Sequence, residues 1–521
     1  MTPDLVEAFK RRLEAEGRRV KIYKTSIVKD GELTFLLIRE GQKRKLVIIG
    51  PTERLGEASK EFTAEEEGGL NTEEGETLRY RICPCNHQNI EALRRRFPYT
   101  KPKVIGLTPA IGMGDRIGLA TPGHIRAAVR FGVFPVLAQQ SIREMIRTGR
   151  TPREVLDDVS VAVFQEGYRG GFSADADHLK TIEDVEATFK AGYTMYTIDP
   201  SDYVDGEADS DDLETLEAKF KRLPWDELGC SGEEFLKLYL DKSFKVPAGG
   251  QTLEIKFSRE SLLRAAVKYS AAIAHTVRLA RHLQSLFKDG SFDLEMSVDE
   301  TENPTTPLEH FFIASELRRL GVKVQSLALR YVGRFEKAID YIGDLKEFER
   351  TLREHAFIAK HMGPYKLSVH SGSDKFSIYP ILGRVVGGML HLKTSGTSYL
   401  EALRLVARHD PKLFREIVEY SLGCFDRDRR SYHLTTDLSA IPNPRDVPDE
   451  ELEEVFLNRG DGRQLLHVTY GSILTAKRSD GSWLFKDRIR SILIENEEEH
   501  YELVASHLGR HMKALGLSEK A

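Results

Sequence analysis

Three short stretches of the chain concentrate side chains able to hold a metal or move a proton. FSADADHLK (172–180) places Asp175, Asp177 and His178 within four consecutive positions. SVDETEN (297–303) carries Asp299, Glu300 and Glu302, and the helical pattern that follows carries Glu309 and His310. SVHSGSDK (368–375) sets His370, Asp374 and Lys375 among small residues that leave room for a ligand. Imidazoles are the commonest transition-metal ligands, and paired carboxylates suit chelation or general acid/base work. Side chains alternate along a strand, so Asp175 and Asp177 share a face, and His178 lies one step on, where the strand bends into its loop. A plainer reading stays open: an aspartate capping a helix beside a solvated histidine, and a His310 packed in a core.

Each stretch ends a short apolar run and leads into a helical pattern. Eight such runs span 103–109, 134–140, 170–177, 193–199, 292–300, 324–332, 365–372 and 389–396. Eight βα repeats predict an α/β fold, a (β/α)8 TIM-like barrel, with an open doubly wound sheet as the alternative. In a barrel all the polar strand ends meet at one mouth, where barrel enzymes build their sites. Residues 1–100 read as an N-terminal α+β unit, 101–410 as the catalytic barrel and 411–521 as a mostly helical C-terminal region. A helical insertion at about 200–290 is too long for a βα loop and is expected to cover the mouth.

Other residues near the strand ends are candidates for holding substrate. GMGDRIGLATPGH (112–124) spaces its glycines G-x-G-x-x-x-G, and the next strand ends Gln139-Gln140 rather than in the acid that would grip an adenosine ribose. The loop therefore reads as a substrate loop presenting Asp115 and Arg116, with Gln140 beside them, and not as a nicotinamide site. Lys375 or Lys393 is positioned to hold an anionic group, with a solvated lysine as the alternative for each. There is neither a G-x-S-x-G elbow nor a P-loop.

Composition narrows the class. The 521 residues are 40% hydrophobic and 30% charged, with Lys+Arg 76 against Asp+Glu 81 and a net charge of −5. No basic block points to nucleic acid, and no apolar run approaches the ~20 residues of a membrane helix. The first helical pattern lacks a signal-peptide core, and four cysteines in so long a chain form no disulfide framework, so a reducing cytoplasm is expected. Cys83, Cys85 and His87 lack structural zinc spacing and read as ordinary thiols beside a histidine.

Five segments, GMGDRIGLATPGHIRA, GFSADADHLK, SVDETENPTTPLEHFFIASEL, HSGSDKFSIYP and LKTSGTSYLEALR, resemble the tagaturonate epimerase family, bacterial enzymes that interconvert D-tagaturonate and D-fructuronate. The resemblance spans roughly 100–410 and continues into both flanks. It implies a metal-dependent, barrel-like isomerase acting on a small-molecule keto-hexuronate. By that resemblance Asp177 and Glu300 are the acid/base pair, and His178, His310 and His370 the metal ligands. A histidine-rich site favours Zn, Mn, Co or Ni over Mg. The two sugars differ at the hydroxyl carbon β to the ketone, whose C–H the ketone does not acidify. Retro-aldol cleavage, rotation of the aldehyde and re-addition is therefore the expected route, ahead of transient oxidation. A related metal-dependent sugar isomerase or aldolase, or a non-catalytic carbohydrate-binding barrel, are the other readings. Oligomeric state is not legible.

Overall fold

The structure is a computed structural model and describes residues 2–71 and 77–520. Its centre is one parallel sheet. The strands are β1 (Ala110–Gly112), β2 (Phe134–Val136), β3 (Gln140–Ser141), β4 (Asp175–Leu179), β5 (Met195–Ile198), β6 (Asp293–Ser297), β7 (Ser326–Ala328), β8 (Lys366–Val369) and β9 (Leu390–Lys393). Their order is β2-β1-β9-β8-β7-β6-β5-β4-β3. The two ends of that order, β2 and β3, are successive pieces of one extended segment. On one side the segment pairs with β1. On the other, Val136 bridges Ser173 and Gln140–Ser141 pair with β4. The ring thus closes through residues 134–141 into eight staves, and seven of the eight runs read from the sequence supply them. Strands buried on both faces read as near-continuous apolar runs, which is why they were legible.

The first run needs correction. Residues 103–109 form a loop, and the strand is Ala110–Gly112. Asp293, at the start of β6, accepts from the backbone N–H groups of Ile105 (2.7 Å) and Gly106 (3.0 Å), and Gly106 takes a positive φ of 55°. Those amides are satisfied by a carboxylate rather than by a neighbouring strand.

The expected cap over the mouth also needs correction. Helix α1 (Arg259–Leu286) is the crossover between β5 and β6 and packs on α2 (Pro307–Arg319) in the outer ring. The hairpin Ser243–Ala248/Gln251–Lys256 packs on α2 and on α3 (Leu345–Met362). The insertion therefore thickens the outer wall. The cavity at the strand ends is walled instead by the loop after β7 and by residues 429–435 of the C-terminal region.

The described residues up to 100 form three α-helices and a five-stranded antiparallel sheet. One face of this sheet buries Phe9 and Leu13, and the other packs Phe35 and Cys83 towards Phe164 of a barrel helix. Helices α5 (Gly460–Val468) and Tyr470–Thr475 follow one another in the C-terminal region. Helix α4 (Thr397–His409) shares one apolar core with the helices beyond 411 and with Ile117 and Leu119 of the glycine loop. No helix is long and apolar enough to cross a membrane among the described residues.

Candidate active site

A single ammonium organises the barrel interior. Lys393, the last residue of β9, is buried with Nζ 2.7 Å from Asp175 Oδ2, 2.8 Å from Asp177 Oδ1 and 2.8 Å from Glu295 Oε1. It also donates to Thr197 Oγ1 at 2.8 Å. These partners come from β4, β5 and β6, so the cluster ties adjacent staves together across the barrel. Burial alone would lower the Lys393 ammonium, but the three carboxylates override it and hold it well above its usual range. Burial pushes the Asp175 carboxyl up to about 6 against the pull of Lys393. Asp177 goes the other way. The Lys393 ammonium and the imidazoles of His178 and His370 overcome burial and hold it well below the usual carboxylate range.

At the mouth the backbone of His178 turns left-handed, with φ 51°. The β4–β5 register shifts there, between Tyr196 and Ile198. This turn breaks the alternation, so the consecutive side chains of Asp177 and His178 both line the cavity. A non-glycine residue in this region costs on the order of 1–3 kcal/mol and concentrates at functional sites. His178 Nδ1 lies 3.1 Å from Asp199 Oδ2, and Nε2 lies 3.9 Å from Asp177 Oδ1. Its ring meets that of His370 edge-on, with centroids 5.1 Å apart. His370 Nε2 pairs with Glu295 Oε1 at 2.7 Å. Its Nδ1 is 3.0 Å from Asp299 Oδ1 but out of line for a hydrogen bond, which leaves a buried nitrogen without one. Burial would lower both imidazoles, yet Asp177 and Asp199 raise His178 to about 10, and Asp299 raises His370 to about 9.

Asp177, His178 and His370 each offer a ligand atom within 4.8 Å of the others, and His178, Asp199 and Glu300 do the same. Glu300 stands at the rim, its side chain 31% exposed, and pairs with Arg143 at 2.7 Å. The principal cavity, of about 670 Å³, reaches from Glu300 and His370 to Tyr432 of the C-terminal region. A smaller one beneath it reaches Asp177 and Lys393.

The structure brings Asp177, His178, Glu300, His370 and Lys393 together, and leaves other expected residues elsewhere. His310 sits on the buried side of α2, with Nε2 2.7 Å from Tyr365 Oη and Nδ1 3.1 Å from His355 Nδ1. Both its nitrogens are engaged between α2 and α3, away from the other imidazoles. The Asp115 carboxylate folds back onto the backbone N–H groups of Gly118 (2.7 Å) and Ala120 (2.6 Å), so it shapes the glycine loop rather than facing the cavity. Arg116 does line the smaller cavity, but its guanidinium is bound to Glu144 (2.6 Å) and stacked on Tyr470 (3.6 Å). Gln140 is buried with no hydrogen bond to its side chain. Its neighbour Gln139 reaches the site instead, donating to Asp177 Oδ2 at 2.7 Å. The Lys375 ammonium is spent on the carbonyls of Glu336 (2.8 Å), Ile339 (2.5 Å) and Ser373 (3.0 Å), and burial pushes it down to about 7.

Sequence reasoning passed over Glu295, Asp199 and Gln139. Glu295 had a signal: an acid in the middle of the apolar run FDLEMSV, where a strand buried on both faces has no solvent to offer it. Gln139 had none, because the break between β2 and β3 decides which glutamine turns inward.

A family model for tagaturonate epimerase matches residues 23–515. The tagaturonate/fructuronate epimerase of Thermotoga maritima is 44% identical over 499 residues, covering 96% of this chain and 98% of that protein. The native crystal structure of fructuronate-tagaturonate epimerase from Cohnella laeviribosi matches with a TM-score of 0.88 at 39% identity, covering 98% of this chain and 100% of that one. A glycerol complex of the same enzyme matches with the same TM-score and identity. The chain belongs to the tagaturonate epimerase family, a family of isomerases.

Proposed function

We propose that the chain interconverts D-tagaturonate and D-fructuronate at the hydroxyl carbon β to the ketone, by retro-aldol/aldol chemistry and with a divalent transition metal (Zn, Mn, Co or Ni). The named activity of relatives that match nearly the whole chain supports the substrate class. The observation that carries the metal is a charge imbalance. The buried carboxylates Asp175, Asp177, Asp199 and Glu295 outnumber the Lys393 ammonium that three of them share, and the imidazoles of His178 and His370 offset two of the three charges left over by holding protons. A divalent cation in place of those two protons keeps the same charge, and His370 Nδ1, which makes no hydrogen bond and lies 3.0 Å from Asp299, would be a ligand atom for it. His178 and His370 would hold the ion, with Asp177 beside them, and His310 takes no part. When bound, it supplies Lewis-acid polarisation of the substrate ketone.

The chain's own residues handle the protons. Asp177 accepts the proton of the C4 hydroxyl as C3–C4 breaks and the bonding electrons move to the ketone oxygen. The aldehyde turns its other face, C3–C4 re-forms, and Glu300, on the other side of His178, passes a proton drawn from solvent at the rim to the new C4 hydroxyl. Lys393 links Asp177 Oδ1 to Asp175 Oδ2, so the ammonium can pass a proton to the more basic Asp175 as it takes one from Asp177. Four free cysteines fit the cytoplasmic placement.

The test is to follow the metal-loaded protein with D-tagaturonate by NMR. D-Fructuronate is the expected product. Accumulation of two three-carbon fragments would make it an aldolase, and absence of both turnover and metal would make it a binding protein. Asp177→Asn and Glu300→Gln should each lower kcat by about 10²–10⁴ while retaining metal. A carbon isotope effect at C3–C4 without a primary hydrogen effect at C4 is expected, and a large hydrogen effect there would refute the retro-aldol route.

A further inference from the structure

We infer that Lys337 is the residue that grips the substrate carboxylate, so that it distinguishes a keto-hexuronate from a neutral ketohexose. The inference rests on the functional reading above and deepens it. Lys337 belongs to the loop after β7 and lines both cavities, at the junction between the carboxylate cluster and the outer chamber. Among the described residues, the other cations at this mouth are committed. Lys393 serves three carboxylates, Arg116 serves Glu144, and Arg143 serves Glu300. Arg330 donates to the carbonyls of Thr301 (3.2 Å), Tyr331 (3.1 Å) and Gly333 (3.0 Å), and so holds its own loop.

Among the described residues, Lys337 has no carboxylate within ion-pair distance. Its one hydrogen bond among them is to Ser371 Oγ, at 2.6 Å. Ser371 follows His370 directly and takes a left-handed φ of 49°, so the ammonium is pinned one residue from the proposed metal ligand. An ammonium has three protons, and this contact uses one. The remaining two face a chamber large enough for a six-carbon acid. Arg334 also lines that chamber but lies 3.8 Å from Glu336 and does not reach the smaller cavity, and Arg429 lines it with no carboxylate partner among the described residues. Arg429 lies against Phe425 (5.3 Å) and the carbonyl of Leu434 (3.4 Å), and it does not reach the smaller cavity. Lys337 is therefore the cation positioned to hold the carboxylate while the keto end lies over His178 and His370.

The experiment compares kcat and KM for D-tagaturonate in the metal-loaded wild type, Lys337→Gln, Lys337→Met and Lys337→Arg. Losing one charge-assisted contact should raise KM about 10- to 100-fold in the first two, with kcat within about threefold, and arginine should restore most of the loss. Unchanged KM in Lys337→Gln and Lys337→Met, or an arginine variant no better than they are, overturns the assignment. Equal metal content across the variants excludes a folding defect as the cause. If the wild type itself fails to convert D-tagaturonate, the functional reading fails. If it converts and Lys337→Gln matches it, only this inference fails.

Discussion

The imidazoles of His178 and His370 and the ammonium of Lys393 answer one electrostatic problem, the burial of several carboxylates at the end of a barrel. In the metal-free protein both imidazoles hold protons through neutral pH, since neighbouring carboxylates raise them to about 10 and about 9. A cation needs their lone pairs, so metal uptake at pH 7 should release about two protons per ion, falling towards none above pH 10. Calorimetry in two buffers of different ionisation enthalpy measures this directly. Release of no protons at pH 7 would remove the imidazoles from the site. Lys393 cannot be exchanged in the same way. Lys393→Met strands Asp175, Asp177 and Glu295 without their shared partner, at a cost of about 3–5 kcal/mol. A wild-type urea midpoint for that variant would contradict the arrangement. Asp177, His178 and His370 were legible because each stands at the polar end of an apolar run. Glu295 was less legible because it stands inside a strand and not at its polar end.

The elements make the site by small departures from regularity. The last residue but one of β4, His178, is left-handed, which lets Asp177 and His178 both line the cavity; ideal alternation would have separated them. The sequence announces the strand but not the sign of φ at its last turn. Helix α2 shows the opposite case. Its capping box is in the sequence: Thr306 Oγ1 accepts from the Glu309 N–H (3.2 Å), and Glu309 Oε2 accepts from the Thr306 N–H (2.7 Å). That box fixes where the helix begins and therefore which face His310 occupies, and the face is the buried one against α3. Expected ligands and core residues separate cleanly in one measurement. His370→Ala should weaken metal binding by at least about 100-fold, beyond what the loss of a supporting contact costs. His310→Leu should keep full metal content while losing about 1–3 kcal/mol of stability, as Tyr365 and His355 lose a buried partner. Loss of metal in His310→Leu would restore it as a ligand.

Across the whole molecule, the C-terminal region is built into the active-site loops. The residues that follow His370 pass directly under it: Asp374, φ 59°, accepts from Arg463 of α5 at 2.7 Å, and its N–H donates to His511 Nε2 of α6 (Glu497–Ala514) at 3.0 Å. Three residues thus separate the proposed metal ligand from a buried ion pair anchored in another part of the chain. Composition could not reveal this, because an isolated arginine in a helical segment carries no mark of the partner it meets 89 positions away. Burial would raise the Asp374 carboxyl, but His507 and Arg463 hold it well below the usual range. Its folded value is therefore depressed, and its contribution to stability is present above pH ~3.8 and lost as the pH falls through the folded value. Arg463→Met should cost about 3–5 kcal/mol at pH 7 by leaving that carboxylate buried without its main partner. Asp374→Asn in the same chain should recover part of the loss, since the amide carries no charge to strand. Urea unfolding of the two single variants and the double variant reads the coupling. If the losses simply add, the pair does not join the C-terminal helices to the loop that carries His370.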